Sequence, residues 1–107
     1  MIVRKCNVNH IFIFFVSFIL NGQITGTVMN KYTNVPIEYA TIILKEEDEI
    51  LEGTISKPDG SFILPISANG NFIIEVSFLG YQTIVRDNIS VQKNTPLDLG
   101  VISLQTT

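Results

Sequence analysis

The fold of this chain is decided by residues 53–81, GTISKPDGSFILPISANGNFIIEVSFLGY. Short apolar stretches alternate here with two turn signals, which predicts three consecutive antiparallel strands joined by tight connections. In the first connection Pro58 presets the turn angle, and Gly60, which follows Asp59, can adopt the positive φ that closes a type I turn with a bulge. In the second connection the pair Asn69-Gly70 is a hairpin signal.

The third strand of this stretch, predicted over residues 72–79, has the strongest pattern. Its alternate residues Phe72, Ile74, Val76 and Phe78 are large and apolar, so one face is expected to pack in a core. A corner is expected at Gly80, where the chain needs a residue without a Cβ, and Tyr81 is expected to pack there. Gly80→Val is therefore predicted to destabilise the fold by more than ~1 kcal/mol, through lost backbone freedom and overpacking.

The rest of the chain shows the same short-strand pattern. Gly26 in the first strand predicts a bulge or a close approach by a neighbouring strand, and the alternation slips near Gly100, which predicts a bulge there. Seven or eight evenly spaced short strands predict an all-β fold, an antiparallel β-sandwich. The further strands are predicted over residues 23–29, 39–45, 50–56, 81–87 with an extension over 88–92, and 97–104.

Residues 1–22 are predicted to be a secretory signal peptide, followed by one domain over residues 23–107. Arg4 and Lys5 precede an apolar run over residues 11–20, and Gly22 offers a small residue at the cleavage point. A transmembrane anchor is the competing interpretation, but a spanning helix needs about 20 apolar residues. The sequence therefore indicates export, to the periplasm or the outer membrane if the cell is Gram-negative.

The composition of the exported part argues against catalysis. The single His10 and the single Cys6 both lie in the predicted signal peptide, so the domain lacks the usual base for a serine or cysteine nucleophile and the usual zinc ligands. We predict a protein that is not an enzyme, with no catalytic, cofactor-binding or metal-binding residues. The domain has five basic and ten acidic residues, a net charge of −5, which excludes the electrostatic pattern of a nucleic-acid-binding protein.

Four consecutive acidic residues, 46–49 (EEDE), allow two interpretations. One is a calcium site. Consecutive strand residues point to opposite faces, however, and the spacing of an EF-hand loop is absent. A solvated hairpin tip is therefore the favoured interpretation.

Several motifs, taken in order, resemble one known family, the carboxypeptidase regulatory-like domain. The resemblance implies a transthyretin-like fold, a seven-stranded antiparallel Greek-key β-sandwich. The motifs are G-x-V at Gly26 and Val28, P-I-x-x-A-x-I-x-L over 36–44, Gly53-Thr54 before D-G-x-F at Asp59, Gly60 and Phe62, N-G-x-F over 69–72, and V-S-F-L-G-Y over 76–81. The sequence departs from the family at Lys57, where an acidic residue is common. Seven residues are taken as structural turn and corner positions: Pro58, Asp59, Gly60, Asn69, Gly70, Gly80 and Tyr81.

The resemblance implies a position in a larger system rather than a reaction. Such domains commonly form the N-terminal periplasmic extension of TonB-dependent outer-membrane receptors, including SusC-like importers of glycans and peptides. The resemblance thus implies a non-catalytic interaction or spacer domain, with protein partners in the periplasm or outer membrane. The alternative is a free-standing module that binds carbohydrate or links domains in an adhesin. Tyr32 and Tyr39 are the aromatic residues expected to be exposed for a glycan.

Overall fold

The computed structural model describes residues 22–66 and 68–107, and this part of the chain forms two β-sheets without a helix. These residues therefore contain no helix that is long and apolar enough to cross a membrane. The predicted signal peptide, apart from Gly22, lies outside the described residues. The strands are β1 (Gln23–Asn30), β2 (Thr41–Glu46), β3 (Glu49–Ile55), β4 (Ser61–Pro65), β5 (Gly70–Ser77), β6 (Ile84–Val91) and β7 (Leu97–Leu104).

The core lies between a three-stranded sheet, β4-β1-β7, and a four-stranded sheet, β3-β2-β5-β6. Strand side chains alternate between faces, and the larger apolar set of each inner strand points inward. The all-β sandwich predicted from the sequence is confirmed. The buried apolar residues are Ile24, Val28, Ile37, Ala40, Ile42, Leu44, Phe62, Leu64, Ile66, Phe72, Ile74, Val76, Val91, Ile102 and Leu104.

The predicted hairpins of residues 53–81 are wrong, because β3, β4 and β5 are not neighbours in one sheet. β3 pairs with β2, β4 pairs with β1, and β5 pairs with β2 and β6. The chain therefore passes from one sheet to the other between β3 and β4, and back again between β4 and β5. A turn signal specifies the local backbone conformation, which a crossover between sheets can use as well as a hairpin.

β1 and β7 are parallel, whereas the sequence predicted a wholly antiparallel arrangement. The bulge predicted near Gly100 is present: Thr25 is opposite Asp98, Thr27 is opposite Val101, and Gly100 has a φ of 71°. Gly26 lies between these two pairs. A Cβ on Gly26 would lie 2.7 Å from Phe62 Cζ and 3.2 Å from the Gly100 carbonyl oxygen, so the predicted close approach is also confirmed.

β6 is one strand, where the sequence predicted a strand over 81–87 and an extension after it. Its register with β5 shifts between the pairs Phe72–Ile89 and Ile74–Arg86, and Asn88 has a positive φ of 57° within this bulge. A bulge in β7 and a bulge in β6 thus interrupt one edge strand of each sheet. Bulges at edges discourage open-ended pairing with another chain.

Candidate functional site

The predicted turn residues 58–60 form a tight turn at the end of the sandwich. The Gly60 amide donates to the Lys57 carbonyl at 2.8 Å, and the Ser61 amide and hydroxyl donate to Asp59 Oδ1 at 3.0 and 2.6 Å. Gly60 has a φ of 84°, and a Cβ there would lie 2.5 Å from the Val28 carbonyl oxygen. The hydrogen bonds from Ser61 hold the pKa of Asp59 below its ordinary value. The turn is therefore a tightly packed structural element, with the carboxylate committed to Ser61.

Asn69 and Gly70 lie at the opposite end of the molecule and do not close a hairpin. Asn69 Oδ1 accepts a hydrogen bond of 2.6 Å from the Lys93 amide, while Gly70, with a φ of 150°, lies opposite Val91 in β6. Gly22 is buried beside them and donates its amide to the Lys93 carbonyl at 3.2 Å. Asn69 lies in the connection between β4 and β5, and its side chain therefore binds the turn between β6 and β7 through a hydrogen bond.

The corner at Gly80 and Tyr81 is built around a residue that sequence reasoning missed. Asn30 Nδ2 donates to the Tyr81 hydroxyl at 3.0 Å, and Asn30 Oδ1 accepts from the Tyr32 amide at 2.8 Å and the Thr33 amide at 3.1 Å. The Tyr81 ring packs against Phe78 with centroids 5.9 Å apart. The available signal was Asn30 itself, because an asparagine that ends a strand before a turn often caps the turn with its side chain.

Gly80 occupies the corner for only one of the two predicted reasons. Its φ of 88° requires a residue that tolerates the left-handed region. A Cβ at Gly80 would have no heavy atom within 4 Å, so the predicted overpacking is wrong. The cost expected of a Cβ at this position therefore comes from the backbone conformation.

Ser56 is a second structural residue that the sequence analysis missed. It is the buried polar residue of the described chain, and its hydroxyl donates to the Ile37 carbonyl at 2.6 Å and accepts from the Ala40 amide at 2.9 Å. Both hydrogen-bonding capacities of the hydroxyl are thus committed to backbone groups. Ser56 fixes the loop before β2 and is not placed as a nucleophile.

The outer face of the four-stranded sheet is apolar around one ion pair. Lys45 Nζ and Glu75 Oε2 are 2.6 Å apart, and this hydrogen bond raises the pKa of Lys45. Strand register places Ile50 opposite Lys45, and Val85 opposite Glu75. Ile55 lies further along the same face, opposite Thr41. We call this surface the ion-pair face.

The three outer apolar residues of the ion-pair face are strongly exposed. Ile50 is 61% exposed, Ile55 54% and Val85 55%, while Ile43 and Ile73 between them are half-buried. Single exposed apolar residues are common on protein surfaces, but several on one face of a sheet favour contact with another molecule. The face offers exposed apolar area around a lysine and a glutamate that are paired with each other.

The acidic segment 46–49 forms the hairpin tip between β2 and β3. All four carboxylates are exposed, Glu46 lies opposite Glu49, and Glu47 has a φ of 55°. These four residues and Asp87 line an open cleft at the hairpin tip. Residues 22–66 and 68–107 contain no group of three or more His, Cys, Asp or Glu that could hold a metal ion.

Two aromatic residues predicted to be exposed lie on the loop between β1 and β2. Tyr32 is 63% and Tyr39 62% exposed, and Tyr39 has a φ of 67°, which is uncommon for an aromatic residue. Leu79, beside the corner, is 94% exposed. The two tyrosine rings offer exposed surfaces for stacking.

The comparisons with known proteins agree with this fold. The family model of the carboxypeptidase regulatory-like domain matches residues 23–105. No curated protein is significantly similar to the chain in sequence.

Similar solved structures come from proteins with different roles. A type II cohesin–X-dockerin complex of Acetivibrio cellulolyticus contains a chain that is 17% identical, with a TM-score of 0.64 over 79% of this chain and 58% of that chain. The 5-hydroxyisourate hydrolase of Klebsiella pneumoniae is 15% identical, with a TM-score of 0.61 over 77% of this chain and 90% of that chain. A pilus 2b backbone protein of group B streptococcus is 14% identical, with a TM-score of 0.53 over 80% and 41%.

These likenesses show the fold alone, because all the identities are low. The chain spans little more than half the length of the two cohesin–X-dockerin chains that it matches, 58% and 52%. The same sandwich therefore serves an enzyme, a protein complex and a pilus subunit, and its function must be inferred from its own surfaces.

Proposed function

The chain belongs to the carboxypeptidase regulatory-like domain family, and we propose that it is a non-catalytic, exported interaction or spacer domain. Within that class, we propose the N-terminal periplasmic extension of a TonB-dependent outer-membrane receptor for nutrient uptake. The observation that supports an interaction role is the ion-pair face. It combines three strongly exposed apolar residues with a charged pair held in place by neighbouring strands.

The size of the ion-pair face indicates the kind of contact. Four strands about 4.8 Å apart and about six residues long at 3.3 Å per residue cover roughly 400 Å² in projection. A standard interface takes about 800 Å² of accessible surface from each partner. The face alone would therefore support a weak or transient contact, as expected for a domain that moves against its receptor or against a periplasmic partner.

The receptor proposal is tested in the source organism by extending the DNA sequence past the codon for Thr107 and by following the protein itself. An antibody raised against residues 23–107 should detect a receptor-sized species in the outer-membrane fraction, encoded by a frame that continues into a plug and barrel. Detection of a species of domain size alone, together with a stop codon after Thr107, would contradict the receptor proposal.

The interaction role is tested separately by crosslinking in the same cells. A photo-crosslinking amino acid at Ile50 should capture a protein partner, and the same amino acid at Ile63, exposed on the other sheet, serves as the matched control. Equal capture at both positions would contradict a partner specific to the ion-pair face.

A second candidate, a carbohydrate-binding module, is favoured by the exposure of Tyr32 and Tyr39. Aromatic faces stack on sugar rings and can bind a neutral glycan without a deep pocket. Affinity electrophoresis in gels that contain neutral polysaccharides would test it: binding should be lost in Tyr32→Ala or Tyr39→Ala. Retardation that survives both substitutions would place the glycan elsewhere.

A further inference from the structure

A polar cleft lies on the side of the sandwich where β6 of one sheet and β7 of the other run past each other as edge strands. Its volume is about 350 Å³, at the lower end of the range for small-molecule sites. Two lining residues come from β6 and two from β7, and the other four lie in the flanking loops. The lining residues are Lys31, Gln82, Thr83, Ile84, Arg86, Val101, Ser103 and Gln105.

One end of this β6–β7 cleft is closed by backbone hydrogen bonds between the two sheets. The Gln82 amide donates to the Gln105 carbonyl at 2.8 Å, and Tyr81 forms a bridge with Thr106. The Lys31 amide donates to the Leu104 carbonyl at 2.9 Å. The backbone that carries the lining side chains is therefore fixed before a ligand arrives, which lowers the entropic cost of binding.

The charge of the cleft is opposite to that of the domain. Lys31 and Arg86 line it, and none of its lining residues is acidic, although residues 23–107 carry a net charge of −5. The ion pair found within the described chain joins Lys45 to Glu75, so neither cation of the cleft has a carboxylate within 4 Å. Acidic groups gather instead in the separate cleft at the hairpin tip, which includes Asp87.

The neutral side chains of the cleft suit hydroxyl groups. Gln82, Thr83, Ser103 and Gln105 each have donors and acceptors, and their side chains make no hydrogen bond to protein within residues 22–66 and 68–107. A bare oxyanion would use the donors and leave the acceptors unused. A sugar ring would use both, and its C–H surface could contact the apolar lining.

We propose that the β6–β7 cleft binds a carboxylated saccharide of the uronic-acid type. The sugar carboxylate pairs with Lys31 and Arg86, the hydroxyl groups bond to the amide and hydroxyl side chains, and the ring contacts Ile84 and Val101. This proposal is independent of the receptor proposal, and it concerns a surface different from that of Tyr32 and Tyr39.

The test is an NMR titration of the 107-residue chain with trigalacturonate, and with its fully methyl-esterified form as a neutral ligand of the same shape. Backbone shifts should be confined to residues 31, 82–86 and 101–105. Because solvent screens an ion pair between exposed groups, Lys31→Gln and Arg86→Gln should each weaken trigalacturonate binding by about threefold to fivefold. The methyl ester should bind the unaltered protein as weakly as trigalacturonate binds these variants, because it has no charge to pair with Lys31 or Arg86.

Two matched controls separate the cleft from general charge effects. Lys57→Gln and Lys93→Gln remove exposed cations outside the cleft and should leave the affinity within about twofold, since exposed charges at a distance are screened at physiological salt. Equal binding of acid and ester, an equal loss in the control variants, or the absence of shifts in the cleft would overturn the proposal. Shifts in the cleft from inorganic phosphate or an oligoglutamate peptide, without shifts from trigalacturonate, would overturn the saccharide assignment.

Discussion

Gly26→Ala tests the packing between the two sheets most directly. The new methyl group would lie 2.7 Å from Cζ and 2.8 Å from Cε2 of the buried Phe62 ring, and 3.2 Å from the Gly100 carbonyl oxygen. A core of native density cannot absorb this overlap without moving the ring or the bulge. Overpacking costs about 1–3 kcal/mol, and the smaller entropy of the unfolded alanine chain returns about 0.4–1 kcal/mol. A net loss of roughly 1–2 kcal/mol in the free energy of unfolding is expected.

Urea unfolding followed by circular dichroism measures this loss. For a small domain the slope is about 1 kcal/mol per molar urea, so the midpoint of Gly26→Ala should fall by roughly 1–2 M. Gly53→Ala is the matched control in β3: its Cβ would meet only the Ile42 carbonyl oxygen, at an ordinary 3.7 Å. That variant should stay within about 0.5 kcal/mol of the unaltered protein.

A double-mutant cycle attributes the loss to the Phe62 ring. Phe62→Leu removes the ring atoms nearest Gly26, so Gly26→Ala should cost less in the Phe62→Leu background, with a coupling of about 0.5 kcal/mol or more. If Gly26→Ala unfolds at the same urea concentration as the unaltered protein, or costs the same in both backgrounds, the reasoning about this close approach is refuted.

Three further predictions concern the turn, the corner and the buried hydroxyl. Ser56→Ala leaves the buried Ala40 amide without its hydrogen-bond partner and should lower the free energy of unfolding by about 1–3 kcal/mol. Ser61→Ala, at the exposed turn, should lower it by less, and urea unfolding of both variants measures the difference. Gly80→Ala should lower the free energy of unfolding by about 1–2 kcal/mol, because alanine is strained at this positive φ. Gly80→Val should add only the cost of placing a β-branched side chain on the same backbone. A much larger loss in Gly80→Val would indicate a steric contact at the corner. Because Ser61 lowers the pKa of Asp59 in the folded state, the stability from this pair is present at neutral pH and lost as the pH falls below about 4. Asp59→Asn should therefore lose less stability than the unaltered protein between neutral and acidic pH, and parallel pH curves would contradict the assignment.

The inward faces of the strands could be predicted from the sequence because alternation is a local property. Ile42, Leu44, Ile74 and Val76 are buried as their spacing indicates, and the bulge at Gly100 follows from a slip in the same pattern. These predictions need only neighbouring residues and the period of a strand. No knowledge of the pairing partner enters them.

The assignment of strands to sheets needs long-range information that turn residues do not carry. Gly60 has the positive φ that its turn predicts, yet its carbonyl accepts a hydrogen bond from the Val28 amide of β1, the distant strand with which β4 pairs. Asn69 likewise caps the Lys93 amide instead of closing a hairpin with β4. The turn conformation at Gly60 was therefore predicted correctly, the hairpin at Asn69-Gly70 was not, and in both places contacts distant in sequence decide where the following strand lies.

The candidate surfaces depend on these same distant contacts, which is why the sequence predicted a family role and could not locate a site. Lys31 and Arg86 line one cleft only because β6 and β7, successive in sequence, are edge strands of different sheets on the same side of the sandwich. Had β6 and β7 formed a hairpin, their edges would have paired and left no space between them. The crossover topology that defeats hairpin prediction therefore also creates the cleft, and side chains outside every family motif give it its charge.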